Sequence, residues 1–383
     1  MKKIIWGLCL FFLGTTAVWA ETDLAPNAKS ALLMDFDSGE ILYKKNENEA
    51  LAPASMTKIM SMLLLMEEID AGRLSFSDDV TISENASKMG GSQIFLQTGE
   101  VYKVEQLLKG IAIASGNDAV IAIAEKISGS VESFVEKMNA RAKELGLTST
   151  VFKNPHGLDA DGHTSSAYDM AIMARELIKH PKILEFTSIY EDYLKKNDGT
   201  STWLVNTNKL VRFYNGVDGL KTGFTQTAGY CLTATAKKNN LRLIAVVMGE
   251  ETSDKRSSDI ANMLNYGFNN YKNVVLYSKE NALGTKRVEN GEEETIPITL
   301  KEDYMKLLKN SDDTPNYSYN VTVDTLKAPL KKGEIYGKAQ VIENGKIVDT
   351  LDVTVSKDIS KISYFKLLLR NIKNISVGKI LIK

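Results

Sequence analysis

The chain has 383 residues, 43% of them hydrophobic and 25% charged, the balance of a globular protein long enough for two domains. A formal net charge of −1 excludes the strongly basic profile of a nucleic-acid binder. Two cysteines exclude a disulfide scaffold, and His156, His163 and His180 show no ligand spacing with other donors, so neither a metal nor another cofactor is expected.

The first twenty residues read as a secretory signal. Lys2 and Lys3 form a basic start, residues 4–13 an apolar core, and Val18-Trp19-Ala20 a cleavage site before Glu21. Cleavage would leave a net charge of −3 and remove Cys9, so that Cys231, in a strand-like run, remains as a buried structural thiol. Residues 31–46 read as a hairpin turning at Asp37-Ser38-Gly39. Pro53 precedes a helical stretch over 55–66, and further helices are predicted at 104–114, 118–127 and 131–145, the last stopped by Gly146. Another covers 168–180, opened by Ser165 and Ser166 and closed by Pro181. Strands at 229–236 and 241–248 meet at Asn239-Asn240, and a helix covers 254–268. Strands at both ends with helices between predict an α/β (α+β) domain on an antiparallel sheet, spanning 21–276.

Beyond about Tyr271 the texture changes. Short strand-like runs at 274–277, 295–300, 317–323, 334–342 and 347–355, with turn signals at Asn290-Gly291 and Asn344-Gly345, predict an all-β, sandwich-like module over 277–358. Residues 359–383 form a tail. From 361 onward it carries six positive charges and no acid, leaving −9 on the body before it. As a helix it places Ile362, Phe365, Leu368, Leu369, Ile372 and Ile375 on one side, and Lys366, Arg370 and Lys373 on the other. That pattern suits a helix lying on an anionic membrane surface, and its apolar runs are too short to span one.

Three short motifs carry the chemistry: Ser55-Met56-Thr57-Lys58, Ser115-Gly116-Asn117 and Lys221-Thr222-Gly223, with Ser115 60 residues after Ser55 and Lys221 106 after Ser115. Ser55 stands at a predicted helix start, where unpaired N–H groups stabilise an oxyanion, and Lys58 lies one turn on as its base. Lysine is a base only when neutral, a state favoured by burial and by a second cation, Lys221. Ser115 can relay a proton and Asn117 can hold a substrate amide and order Lys58. Lys221 and Thr222 offer a cation and a hydroxyl to a carboxylate. Gly223 leaves an edge strand open to an added peptide strand, and the Phe224 N–H can complete an oxyanion hole with that of Ser55.

In order, spacing and context the boxes resemble those of the active-site serine penicillin-recognising enzymes. With Asn154-Pro155-His156-Gly157-Leu158 and Asp218-Gly219-Leu220 leading into Lys221, the resemblance narrows to the low-molecular-mass D-alanyl-D-alanine carboxypeptidases, along nearly all of the mature chain. It implies a β-lactamase/transpeptidase-like domain, an appended β-rich domain and a C-terminal amphipathic anchor on the outer face of the cytoplasmic membrane. It further implies release of the terminal D-alanine from peptidoglycan stems through a Ser55 acyl-enzyme, covalent inhibition by β-lactams, and help from Arg256 in binding the substrate carboxylate. Some relatives carry His at the position of Phe224. The alternatives are a serine β-lactamase, whose usual E-x-x-L-N string is absent between Asn117 and Lys221, a D,D-endopeptidase, and a catalytically silent wall-binding protein.

Overall fold

The computed structural model describes residues 23–196 and 198–376. The signal-peptide reading and the last tail cations, Lys379 and Lys383, lie outside them. In chain order the first part contains β1 (Ser30–Asp35), β2 (Ile41–Lys45), α1 (Lys58–Asp70), β3 (Asp79–Thr81), α2 (Glu84–Ser87), β4 (Val101–Lys103), α3 (Val104–Ala114) and α4 (Asn117–Ser128). There follow α5 (Val131–Glu144), α6 (Ala167–Ile178), α7 (Leu184–Thr187), β5 (Glu191–Lys195), β6 (Ser201–Val205), α8 (Leu210–Phe213), β7 (Val217–Thr225), β8 (Gly229–Lys238), β9 (Leu241–Glu250) and α9 (Ser253–Asn270).

The main sheet runs β2-β1-β9-β8-β7, antiparallel throughout, with β7 on an edge. Its central strands are apolar on both faces because both are covered. Leu32, Met34, Ile244, Val246 and Met248 face the helical layer, while Leu33, Leu243, Ala245 and Val247 face α9. α1 runs through the helical layer and buries Ile59 to Met66 without a polar stripe, as a central helix must. Side-chain caps open helices among the described residues: Ser83 accepts from Ala86 N–H, Ser130 from Ser133 N–H, Ser166 from Asp169 N–H and Thr252 from Lys255 N–H.

The C-terminal part is β-rich, as expected. It contains β10 (Tyr271–Tyr277), β11 (Ala282–Glu289), β12 (Thr295–Leu300), β13 (Tyr304–Lys309), β14 (Tyr317–Val323), β15 (Leu326–Lys327), β16 (Gly337–Glu343) and β17 (Lys346–Val355). A six-stranded sheet, β14-β16-β17-β12-β11-β15, encloses Ile296, Ile298, Val341, Val353 and Val355, while β10 and β13 form a separate ladder. β10 reaches back to the first sheet, where Asn273 Nδ2 donates to Asp35 Oδ1 at 3.2 Å and to Asp37 Oδ2 at 2.9 Å. The tail forms α10 (Tyr364–Ser376), and none of its side chains is buried. Ile362 departs from the expected apolar side of the tail: it precedes α10, is buried, and its N–H donates to Asn290 O. No helix among the described residues is long and apolar enough to cross a membrane.

Two differences from the sequence reading have local causes. The helix read over 55–66 begins as a 3-10 turn, Ala54–Thr57, and becomes α-helical only at Lys58. The hairpin β5–β6 carries Tyr193 and Trp203 on its exposed face, which breaks the apolar-in, polar-out alternation that announces a strand.

At the end of β9 the Glu250 side chain is 1% exposed, and neither carboxyl oxygen meets a hydrogen-bond partner among the described residues. It faces Asp259, whose own oxygens accept from the backbone and side-chain amides of Asn27 at 3.0 and 3.1 Å. Burial, then Asp259, push the Glu250 carboxyl up from 4.5 to about 8. Below pH 4.5 it is protonated whether the chain is folded or unfolded. Between the two values the unfolded chain ionises this group freely and the folded chain does not. Stability therefore falls across that window by roughly 1.4 kcal/mol per pH unit, a few kcal/mol in all. Denaturant melts at pH 5 and pH 9 should show this loss, and Glu250→Gln should remove most of it.

Candidate active site

Ser55 is held by an unusual turn. Ala54 adopts φ +47°, and Gly157, at φ +89°, presses so close that a Cβ there would lie 1.8 Å from Ala54 O. Only glycine allows this approach. Beneath it, Thr57 Oγ1 donates to Ala54 O at 2.8 Å and sits 2.8 Å from His163 Nε2. His163 Nδ1 accepts from Lys153 N–H at 3.0 Å, so its proton lies on Nε2 and is donated to Thr57. Burial holds His163 down to about 4, keeping it neutral. The chain from His163 through Thr57 to Ala54 thus fixes the turn that presents Ser55.

Lys58 is fully buried, and its Nζ has three oxygen neighbours: Ser55 Oγ at 3.0 Å, Asn117 Oδ1 at 2.7 Å and His156 O at 2.8 Å. Burial first, and the charge of Lys221 second, hold its pKa well below the ordinary lysine value. A neutral amine has two protons and one lone pair. Asn117 Oδ1 and His156 O can only accept, so they take the protons and leave the lone pair for the Ser55 hydroxyl, the one neighbour able to donate. The geometry is that of a base poised on a nucleophile.

Ser115 ends α3 in the left-handed conformation, φ +63°, and the chain re-enters a helix at Asn117. Asn117 Nδ2 donates to Gly90 O at 2.7 Å, which leaves Oδ1 to Lys58. Asp118 was not read from the sequence. Its buried carboxylate accepts from Ile94, Leu96 and Ala119 N–H at 2.9–3.1 Å and pins the loop beside Asn117. The other residues missed act through backbone or small contacts: the His156 carbonyl, Gly157, and Thr207, whose hydroxyl accepts from Thr222 Oγ1 at 2.7 Å. His156 itself is held down to about 3 by burial, then by Lys58 and His163, and stays neutral.

β7 closes the site from the sheet side. Arg242 grips Asp218 with two bonds of 2.8 Å and locks the start of β7 to β9. Lys221 is fully buried, donates to Thr222 O at 3.0 Å, and is held down to about 7 by burial and then by Arg256. Gly223 needs its missing side chain for an inner reason: a Cβ would stand 2.7 Å from Pro53 O and 3.1 Å from Ala54 Cβ. The sequence alone suggests only that a glycine here leaves room for a ligand. The Phe224 ring is half exposed and packs on the Tyr230 ring at 4.3 Å, and the buried Arg256 guanidinium lies 6.0 Å from the Tyr230 ring. The structure therefore gathers Ser55, Lys58 and Asn117 by direct contact, delivers Ser115 beside Asn117, and sets Lys221 and Arg256 within each other's field. Cys231 lies apart in β8, buried, with its thiol pushed up to about 11 by burial.

Residues 17–252 match the family model of D-alanyl-D-alanine carboxypeptidase, and residues 271–361 that of the penicillin-binding protein 5 C-terminal domain. The chain is 49% identical over 350 residues to the D-alanyl-D-alanine carboxypeptidase DacF of Bacillus subtilis, covering 91% of this chain and 90% of that relative. Penicillin-binding protein 5 from Haemophilus influenzae superimposes with a TM-score of 0.67 at 32% identity, over 88% of this chain and 98% of that one. Penicillin-binding protein D2 from Listeria monocytogenes, in its ampicillin-bound form, gives a TM-score of 0.57 at 31% identity, over 63% of this chain and 98% of that one.

The two lysines set a pH profile. Protonating Lys58 should impose an acid limb on the second-order rate of acylation by penicillin, and discharging Lys221 an alkaline limb near 7. Lys221→Met should abolish the alkaline limb. Because the charge of Lys221 lowers the Lys58 pKa, the same change should move the acid limb to higher pH, which stopped-flow rates across pH would show.

Proposed function

The chain belongs to the D-alanyl-D-alanine carboxypeptidase family, and on that premise we propose how its residues divide an acyl transfer on peptidoglycan stems ending in D-alanyl-D-alanine. It is a serine-type D,D-carboxypeptidase, and β-lactams inhibit it covalently. Ser55 attacks the carbonyl of the penultimate D-alanine while Lys58, as the neutral amine, takes the hydroxyl proton. The 3.0 Å contact between Lys58 Nζ and Ser55 Oγ carries this reading. The Ser55 and Phe224 N–H groups hold the oxyanion. Ser115 relays the proton to the leaving amine, and D-alanine departs. Water then attacks the acyl-enzyme, and the same base removes its proton. Asn117 holds both Lys58 and the peptide amide. Lys221, Thr222 and Arg256 receive the terminal carboxylate, and β7, on the edge of its sheet, offers its free side to the peptide.

A β-lactam enters the same acylation but leaves no separate amine to diffuse away, so the adduct persists where water attacks slowly. In domain terms, residues 1–20 direct export, 21–276 form the catalytic domain, 277–358 the β-rich module, and 359–383 an amphipathic anchor. The enzyme would work outside the cytoplasmic membrane, held peripherally. Supporting the anchor, Phe365, Leu368, Leu369, Ile372 and Ile375 of α10 remain exposed on a helix bearing Lys366, Arg370 and Lys373.

Intact-mass spectrometry with penicillin should show a persistent one-to-one adduct that Ser55→Ala lacks, with D-alanine release from pentapeptide lost in the same variant. Rapid penicillin turnover without an adduct would instead indicate a lactamase. Truncation after residue 360 should abolish sedimentation with anionic vesicles and spare peptide turnover. Unchanged sedimentation would remove the anchor.

A further inference from the structure

The β5–β6 hairpin carries an exposed aromatic pair that the acyl-transfer site does not use. Its register sets Tyr193 directly opposite Trp203, Glu191 opposite Val205 and Lys195 opposite Ser201, all on the outward face. Tyr193 is 62% and Trp203 58% exposed, an unusual allocation of a protein's largest side chains. The inward face explains why the hairpin holds its place. Leu194 and Leu204 enter the main core, and Asp192 pairs with Lys109 of α3 at 2.8 Å.

The platform is continuous with the catalytic cleft. β6 runs directly into Asn206, whose amide donates to Thr187 O and Ile189 O. Thr207 follows and accepts from Thr222 Oγ1, and Asn208 Nδ2 donates to Gly219 O of β7 at 3.1 Å. Trp203 thus stands four residues before Thr207, the residue bonded to Thr222, a span of at most about 14 Å. An extended five-residue stem peptide reaches about 17 Å, so the sugar polymer carrying such stems falls within range.

We propose that the outward face of β5–β6 is a binding platform for the glycan strands of peptidoglycan. This rests on the carboxypeptidase reading, which makes that polymer the bearer of the substrate. Pyranose rings present C–H groups on their faces, and these are attracted to the electron-rich faces of Trp and Tyr. Glu191, Lys195 and Ser201 border the pair with hydrogen-bonding groups suited to hydroxyls and acetamides. The outward face has one aliphatic residue, Val205, at its base, so it lacks the broad apolar surface with which a second copy or a lipid layer is bound. Because the hairpin is braced against α3 and runs on into residues bonded to β7, the polymer would meet a preformed surface that brings its stems to Ser55.

Trp203 supplies its own probe, since a chain beginning at residue 21 contains no other tryptophan. Peptide-free glycan strands titrated into the 21–383 protein should shift Trp203 emission saturably, and Tyr193→Ala should weaken the response about tenfold. The double variant Tyr193→Ala/Trp203→Ala should turn over soluble diacetyl-L-lysyl-D-alanyl-D-alanine normally. On glycan-linked pentapeptide its kcat/KM should drop about tenfold, and Trp203→Phe should restore most of the loss. An unresponsive Trp203, equal losses on both substrates, or emission that changes with protein concentration alone would overturn the proposal. Failure of the carboxypeptidase reading would appear separately, as wild-type protein that releases D-alanine from neither substrate.

Discussion

Burial disfavours the charged form of Lys58 where it lies, and the site is arranged around that constraint. An ammonium taken fully out of water is strongly disfavoured, and Lys221 adds a second cation to the same low-dielectric region. Neutral Lys58 then needs acceptors for its two protons. One is a backbone carbonyl from the loop at His156, the other an amide oxygen from the start of α4. The Gly90 carbonyl orients that amide, Asp118 fixes the loop bearing Gly90, and Gly157 lets the His156 loop pack against the nucleophile turn. Elements far apart in sequence converge because one amine must remain both buried and neutral.

The same logic separates the roles of the two lysines. Lys58 is surrounded by oxygens that accept, which leaves its lone pair for the one hydroxyl that can donate. Lys221 has the Thr222 carbonyl and the field of Arg256, and its pKa near 7 leaves it cationic at mildly acidic pH. One fold thus holds two equally buried lysines, one serving as a base and the other able to attract a carboxylate.

The reactive side chains were legible in the sequence because serine, lysine and asparagine at those spacings state their chemistry directly. The helices were legible from apolar periodicity and caps, as at Ser166 and Gly146. What escaped acts through the backbone or against the expected pattern. The His156 carbonyl is invisible in a residue name. Gly223 was assigned to ligand clearance, whereas Pro53 and Ala54 pressing from within require it. The β5–β6 hairpin was hidden because Tyr193 and Trp203 turn their rings to solvent. β11 escaped for a related reason: of its eight residues only Val288 is buried, too little to show a period.

The joint at Asn273 has a mechanical meaning. The amide of this residue ties β10 to Asp35 and Asp37, at the end of β1 and the turn beyond it, and β9 and β8 lie between β1 and the catalytic edge strand. A pull on the C-terminal module therefore enters the sheet mainly at β1, three strands from that of Lys221, and through a longer 3.5 Å contact at Asn240 O in the β8–β9 turn. α9 also joins the two parts, but Arg256 lies fourteen residues, about 21 Å, from the end where that helix meets β10. Tension or tilt of the module can thus be absorbed before it reaches the residues around Ser55, so the reacting groups can keep their spacing while the body carrying them is moved.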